Sequence, residues 1–250
     1  MSGHSHWATI KHKKGAIDAK RGKMFSKLSR AIIIAARNGG GDPEMNLKLR
    51  YAIDKARAVS MPKDNIERAI KRGTGDLDGA TLEEITYEGY AQGGVAVIVE
   101  TLTDNRNRTI SELNKIFEKG GGKMGSAGCA AYMFERKGLF AVDAKGIEED
   151  ALMAIALDAG ADDLKNYGDS FEITCDPTAF NQLQDALAKN NLTPTVAEIT
   201  QLAKAPVDVS DPEDVRKILR LMENLDDHDD VQHVYSTLNV DEKVMAQMED

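Results

Sequence analysis

Cysteine is scarce in this 250-residue sequence, which contains only Cys129 and Cys175. The two lie far apart and form no CxxC pair, which argues against a disulfide framework and against a cysteine-based zinc site. Such low cysteine usage is typical of a protein in a reducing compartment. We therefore expect a cytoplasmic location.

Long hydrophobic runs are also missing. The longest candidate, residues 31–36, is far shorter than the roughly 20 apolar residues that a membrane-spanning helix needs. The first residues are basic and polar and contain no apolar stretch ahead of a small-residue cleavage site, so no secretory signal is expected. The sequence thus predicts no membrane partner.

Patterns typical of catalysis or cofactor binding are absent too. The early histidines, His4, His6 and His12, have no cysteine or spaced carboxylate beside them, so no metal site is predicted. Glycines within residues 120–125 spell GxGxxG, but they follow a helical pattern, whereas a dinucleotide-binding turn opens a helix. The acidic run 226–230 lacks the glycine and closing glutamate of a calcium loop and is expected to form a solvated turn. We expect no enzyme, metal or cofactor; an enzyme using a cleft between α/β domains is the alternative.

Charge is unevenly distributed along the chain, although the net charge is −9. Residues 1–75 contain 17 basic and 6 acidic residues, a net charge of +11, and the other 175 residues hold 15 and 35, a net charge of −20. Phosphate binding depends on the local density of lysine and arginine and not on the whole-chain average. The division favours a basic contact domain joined to an acidic body, although segregated solvated charge would look the same.

Three helices are predicted after a flexible N-terminal arm of about 20 residues. The first runs from about Lys20 to Asn38 and is ended by the glycines at 39–41. The second is expected to have Asp42 as its N-cap and to end before Met61. The third begins at Pro62 and closes at residues 73–75.

Strands alternate with helices after a polar linker near residues 76–80. Predicted strands cover residues 85–90, 95–102, 130–135, 139–142, 163–165, 171–175, 195–202 and 231–238, and predicted helices cover 109–119, 148–159, 177–190 with Asp176 as its cap, and 212–225.

The order of these elements predicts the fold class. From residue 139 to 202 it is β-α-β-β-α-β, a ferredoxin-like unit. The fold class is therefore α+β, with an N-terminal three-helix domain followed by two ferredoxin-like α/β domains, one inserted into the other. The predicted domains are 1–80, then 81–136 plus 206–250, with 137–205 inserted.

Several ordered motifs resemble one known family. They are Gly3–Trp7 (GHSHW), Asp18–Lys23 (DAKRGK), Tyr87–Tyr90 (YEGY), Thr103–Thr109 (TDNRNRT), the glycines at 120–122 and the segment Cys129–Phe134. Together they are similar to the YebC/PmpR family over essentially the whole chain. The resemblance implies three domains and a role in gene expression in the bacterial cytoplasm, either as a DNA-binding transcriptional regulator or as a translation factor that assists the ribosome. At position 6 this chain has a histidine, whereas many members of the family have a lysine.

The N-terminal residues are the first candidates for nucleic-acid contact. Lysine and arginine side chains that neutralise phosphates release condensed counterions, so a basic cluster binds without reading bases. Trp7, the only tryptophan, could stack on a base or pack against the helices. The candidate residues are His4, His6, Trp7, Lys11, Lys13, Lys14, Lys20, Arg21, Lys23, Lys27 and Arg30. A 3.6-residue period places Lys20, Lys23, Lys27, Arg30 and Arg37 in one stripe along the first helix.

Two further arginines are secondary candidates. Arg106 and Arg108 follow a predicted strand, where they could bind phosphate or bridge acidic neighbours at a domain interface.

The predicted partner is DNA, or ribosomal RNA reached through the same basic surface, and a monomer is consistent with the sequence. Base-reading side chains are few: the second helix offers Asn46, Lys48, Arg50 and Arg57, and the third offers Asn65, Arg68 and Lys71. We therefore expect backbone contact to dominate.

Overall fold

The structure, a computed structural model, describes residues 19–77, 82–240 and 244, with backbone alone for residues 19–21. These residues form two compact units, one with residues 19–77, 82–130 and 211–234 and the other with 131–210, 235–240 and 244. The fold is α+β, with a three-helix domain followed by two ferredoxin-like α/β domains, one inserted into the other. The predicted fold class is confirmed. No helix in the described ranges is long and apolar enough to cross a membrane.

The three-helix domain consists of α1 (Ala19–Gly39), α2 (Leu47–Ala58) and α3 (Lys63–Thr74). Its core is built from residues at helical spacing, including Ile32, Ala36, Leu49, Ile53 and Ile66, all of which are buried. The first and third helices lie where the sequence predicts them. In the third, Gly75 adopts a left-handed backbone with φ of 87° and ends the helix.

Gly73 allows α1 and α3 to pack closely. A Cβ atom on Gly73 would lie 2.5 Å from the carbonyl oxygen of Ile33 and 2.6 Å from the Cβ of Ala36. Both distances are too short for real contacts, so a larger residue at position 73 would push the two helices apart. The glycine closing the predicted third helix therefore also has a packing role.

The prediction that Asp42 caps α2 is wrong. The Asp42 carboxylate accepts from the backbone N–H of Glu44 in a turn, and the helix begins only at Leu47. Asn46 is the N-cap: its Oδ1 accepts from Leu49 N at 3.1 Å, and its Nδ2 donates to the carbonyls of Ala35 and Gly40. Asn46 is buried and satisfies two helix ends at once, which a residue at 42 could not do.

The middle α/β domain has a four-stranded sheet in the order β3-β1-β2-β9 and two helices. Its elements are β1 (Glu83–Tyr90), β2 (Ala96–Thr103), α4 (Arg106–Lys119), β3 (Lys123–Met124), α7 (Pro212–Asp226) and β9 (Val231–Ser236). The strands β1 and β2 form an antiparallel hairpin in which Glu83 pairs with Thr103 and Tyr90 with Ala96. The helices bury Leu113 and Phe117 from α4 and Ile218 and Leu221 from α7.

The inserted domain has a sheet in the order β5-β6-β4-β7 with two helices. Its elements are β4 (Phe134–Asp143), α5 (Glu149–Asp158), β5 (Ala161–Asn166), β6 (Ser170–Cys175), α6 (Phe180–Lys189) and β7 (Val196–Ala203). This is the predicted β-α-β-β-α-β order, with all pairs antiparallel. The rings of Phe140 and Phe180 stack in its core at a centroid distance of 4.6 Å. A short pair, β8 (Val207–Val209) and β10 (Leu238–Val240), runs parallel.

Three predicted elements of the α/β domains need correction. The predicted strand 130–135 does not form: residues 131–133 make a 3-10 turn, and a single strand, β4, replaces both predicted strands in this region. Asp176 does not cap α6, because its carboxylate accepts from Thr178 and the helix begins at Phe180. The predicted strand 231–238 divides at Thr237 into β9 and β10.

Candidate nucleic-acid interface

Most of the predicted arm contacts lie outside the described residues. These are His4, His6, Trp7, Lys11, Lys13 and Lys14. Lys20 and Arg21 lie in the first turn of α1, where only the backbone is described. Their contact with nucleic acid stays a prediction from the sequence.

The basic side chains of α1 that the structure describes contact the acidic turn at residues 226–230. Lys23 Nζ donates to the carbonyl of Asp227 at 3.1 Å. Lys27 Nζ donates to the carbonyl of Asp226 and forms an ion pair with its carboxylate at 3.4 Å. Part of the predicted phosphate-binding stripe is therefore held by the protein's own acidic turn, and its contact with nucleic acid stays a prediction.

Arg30 extends this contact into the buried part of the unit. Its Nη1 lies 2.7 Å from Asp230 Oδ1 and 3.3 Å from the carbonyl oxygen of Leu102, and it also donates to the carbonyl of Asp229. The guanidinium thereby joins α1 to the end of β2 and to the acidic turn. Arg30 is a structural link between the helical domain and the middle α/β domain, whatever else it binds.

Asp230 is the centre of this network. Its Oδ2 accepts from Thr109 Oγ1 at 2.7 Å, from Arg108 Nη2 at 2.8 Å and from Thr103 Oγ1 at 3.1 Å, and Arg30 binds the other oxygen. Asp230 is 1% exposed, and Thr103 and Thr109 are equally buried. The expectation of a wholly solvated turn at 226–230 is therefore wrong at this residue. A buried carboxylate is stable because four donors surround it.

The ionisation of Asp230 follows from these partners. Burial alone would raise the pKa of the carboxyl group, but hydrogen bonds from Arg108 and Thr109 and the charges of Arg30 and Arg108 lower the pKa to about 2. The ordinary value for aspartate is about 3.9. Asp230 is therefore a carboxylate at neutral pH, and both of its oxygens accept hydrogen bonds from within the protein.

The lowered pKa of Asp230 predicts a pH dependence of stability. Because the folded-state pKa is below the unfolded value, the stabilisation is complete above about pH 4 and is lost as the pH falls towards about 2. The stabilisation lost over this pH interval amounts to about 2 kcal/mol. We expect the difference in unfolding free energy between wild type and Asp230→Asn, from urea denaturation at several pH values, to shrink by that amount over this interval. A difference that stays constant from neutral pH to the acid end would contradict this account.

The segment Thr103–Thr109 forms the junction between β2 and α4. Asn105 is the N-cap of α4, since its side chain accepts from the backbone N–H of Arg108 at 3.1 Å. Arg108 also binds the Asp104 carboxylate at 2.9 Å, beside its bond to Asp230. Arg106 is exposed and makes no hydrogen bond or ion pair with any described residue. The two secondary candidates thus differ, because the side chain of Arg108 is used in internal contacts and that of Arg106 is open to solvent.

The Tyr87–Tyr90 motif anchors a loop. The two carboxylate oxygens of buried Glu88 accept from the backbone N–H groups of Gly128 and Ala130, each at 2.6 Å. The hydroxyl of Tyr90 donates to the carbonyl of Cys129 at 2.6 Å. Gly89 must lack a side chain, because a Cβ there would lie 2.6 Å from the carbonyl of Lys123. The motif therefore holds residues 128–130 against β1 and has a structural role.

A second set of basic side chains, on α2 and α3, is open to solvent. Lys48 on α2 and Arg68, Lys71 and Arg72 on α3 are exposed. Within the described ranges, none of these four side chains forms a hydrogen bond or an ion pair. Their separations along α3, three and four residues, place Arg68, Lys71 and Arg72 on one helical face. We call these three residues the α3 basic face; the sequence offered Arg68 and Lys71, but their availability depends on tertiary structure.

Cys129 lies in the unit that contains the three-helix domain, and Cys175 lies in the inserted domain. No cluster of three or more histidine, cysteine, aspartate or glutamate side chains is placed to hold a metal ion among the residues that the structure describes. Both cysteines are free, and burial raises the pKa of the Cys129 thiol and raises that of Cys175 to about 11. Both thiols are therefore protonated at neutral pH.

Comparison with known proteins assigns the chain to a family. A profile described as the TACO1/YebC protein N-terminal domain matches residues 5–76, and one described as the TACO1/YebC second and third domain matches residues 82–238. A probable transcriptional regulatory protein of Rhodopirellula baltica is 54% identical over 96% of this chain and 97% of its own length. One from Natranaerobius thermophilus is 50% identical over 98% and 99%.

A solved structure is also similar. The crystal structure of a conserved hypothetical protein from Aquifex aeolicus has a TM-score of 0.84 and 46% identity, covering 95% of this chain and 98% of that one. Profiles, relatives and structure agree over nearly the full length of the chain. The chain therefore belongs to the TACO1/YebC family.

Proposed function

We propose that this protein is a non-enzymatic, nucleic-acid-binding regulator of gene expression that contacts the phosphate backbone of DNA through its three-helix domain. The observation that carries the proposal is the α3 basic face, whose three cations are exposed and unpaired among the described residues. They belong to a segment with a net charge of +11 in a chain of net charge −9. Such uncompensated local charge favours a polyanionic partner.

The names of the relatives agree with this proposal. The similar proteins of Rhodopirellula baltica and Natranaerobius thermophilus are both called probable transcriptional regulatory proteins. The non-enzymatic part of the proposal is supported by the state of the titratable groups. Asp230, whose pKa is displaced most clearly towards acid, uses its oxygens in internal hydrogen bonds, and the two thiols are protonated.

Weak sequence discrimination is part of the proposal. A duplex reader places several arginine, asparagine or glutamine side chains on one face to meet base edges. On α3 the side chains of this kind are Asn65, Arg68, Lys71 and Arg72. The three cations among them can bind phosphates as well as bases. Contacts to phosphate fix position on the duplex without reading its sequence.

We expect the full-length protein to bind random-sequence duplex DNA with a steep salt dependence and a specificity ratio below ~10³, the lower end for dedicated regulators. Duplexes selected from a random pool and unselected duplexes would be titrated at physiological salt, and their dissociation constants compared. A ratio well above that value would contradict weak discrimination. Failure to bind any duplex at low salt would contradict DNA binding itself.

Crosslinking in cells, followed by sequencing of bound DNA and bound RNA, tests the physiological partner. Recovery of DNA fragments spread over many sites is the expected result. Dominant recovery of ribosomal RNA would instead favour the translation-factor alternative, in which the same basic surface meets the ribosome.

A further inference from the structure

A cleft lies between α1 and α3, beside the α3 basic face. Its volume is about 420 Å³, within the ~300–1,000 Å³ range of small-ligand sites. On the α1 side it is lined by Phe25, Ser26, Ser29 and Ile33, which recur at helical spacing and so share one face. On the α3 side it is lined by Asn65 and Arg72.

Hydrogen-bonding groups converge on this cleft without internal partners. The side chains of Ser26, Ser29, Asn65 and Arg72 make no hydrogen bond or ion pair with any residue in the described ranges. Two hydroxyls, an amide and a guanidinium can together donate to and accept from a polar ligand. A cleft lined only for packing would not need such groups.

The charge of the cleft is positive. Arg30 also lines it, but its charge is balanced by Asp230, and the carboxylate of Asp104 at the rim is balanced by Arg108. Arg72 is the charge left without a counterion among the described lining residues. The cleft therefore suits a ligand that carries one anionic group beside a polar and partly apolar body.

Arg72 belongs to both surfaces. It lines the cleft and lies one helical turn from Arg68 on the α3 basic face. A phosphate backbone bound along Arg68 and Lys71 would therefore reach the mouth of the cleft at Arg72. The chemical group that follows a phosphate in a nucleic acid is a nucleoside, and its base has an apolar face and a hydrogen-bonding edge.

We propose that this cleft binds one unpaired nucleotide of the nucleic acid that the three-helix domain contacts; the inference rests on the proposed function. The phosphate lies on Arg72, and the base lies against Phe25 and Ile33 with its edge towards Ser29 and Asn65. Bases paired inside a duplex expose only their edges in the grooves, so the cleft distinguishes an unpaired nucleotide from a paired one. This gives the protein a preference for irregular sites such as bulges, over continuous duplex.

The test compares two DNA probes of equal length, one fully paired and one with a single unpaired nucleotide at its centre. We expect the wild-type protein to bind the bulged probe about tenfold more tightly, the scale that a stacked base contributes. Asn65→Leu replaces a polar lining group with an apolar side chain and should remove the preference, so that the variant binds the two probes with equal affinity. Asn114→Leu, at an exposed asparagine on α4 outside the cleft, is the matched control and should keep the preference.

Ser29→Leu fills the same cleft from α1 and should give the same loss, so the test does not depend on one variant. Thermal unfolding of each variant establishes that it is folded. Equal wild-type affinity for the two probes, or a preference that survives both cleft substitutions, would overturn the cleft proposal and leave DNA binding intact. Failure of the wild type to bind either probe would overturn both.

Discussion

Replacing Asp230 with alanine is expected to lower the free energy of unfolding by about 3 kcal/mol, near the lower end for breaking a buried ion pair. The substitution removes an acceptor shared by the buried hydroxyls of Thr103 and Thr109, and it leaves Arg30 and Arg108 without their shared counterion. Arg108 is 41% exposed, so water can solvate its charge and the loss stays below the maximum. Urea denaturation followed by circular dichroism measures it.

Asp229 provides the matched control. It precedes Asp230 in the same turn, but its side chain is exposed and makes no hydrogen bond or ion pair with any described residue. Asp229→Ala removes the same charge from the same turn and should change stability by less than about 0.5 kcal/mol. Equal effects of the two substitutions would show that the turn contributes only general charge and that the network around Asp230 does not stabilise the fold.

The helices of the N-terminal domain were predictable because their signals are local. Apolar residues at helical spacing define α1 and α3, and the glycine at position 75 ends α3 where the pattern stops. The beginning of α2 was not predictable, because tertiary contacts determine which residue caps the helix. Asn46 makes hydrogen bonds to α1 that a residue-by-residue search for caps cannot detect.

The strand predicted at 130–135 failed for a related reason. Its apolar residues favour a strand, but Glu88, about 40 positions earlier in the chain, binds the backbone N–H groups of Gly128 and Ala130. These donors are fixed in a loop by a carboxylate that no local pattern connects to them. The order of elements in the inserted domain was nevertheless predictable, since its alternation of short strands and helices is regular.

The interface was only partly predictable. Charge segregation located the basic domain, but sequence alone could not show which cations are already paired within the protein. Arg30 and Asp230 are separated by 200 positions, and only the fold brings them together. The TDNRNRT motif contained a signal for Asp230, since its two threonines are buried and buried hydroxyls need hydrogen-bond partners.

Removing five charges from the arm and the first helix is expected to weaken binding to random duplex DNA about 100-fold at moderate salt, because fewer counterions are released from the phosphates. Each lost phosphate contact also reduces the salt slope by about 0.9. The variant carries Lys11→Gln, Lys13→Gln, Lys14→Gln, Arg21→Gln and Lys23→Gln. Of these residues, only Lys23 has a described contact, an exposed hydrogen bond to the Asp227 carbonyl. Stability should therefore change little, and the loss of affinity should be nearly the same for every duplex sequence.

A control must separate loss of phosphate contacts from the change in net charge. Five exposed basic residues outside the three-helix domain serve for this, namely Lys119, Lys123, Lys145, Lys189 and Arg216. Substituting these to glutamine makes the same change in net charge and should leave the salt slope within about one unit of wild type. Affinity measured by fluorescence anisotropy over a range of salt concentrations compares the two variants. If the arm variant keeps the wild-type slope, or if the control loses as much affinity, the N-terminal cations are solvated charge and the α3 basic face binds without them.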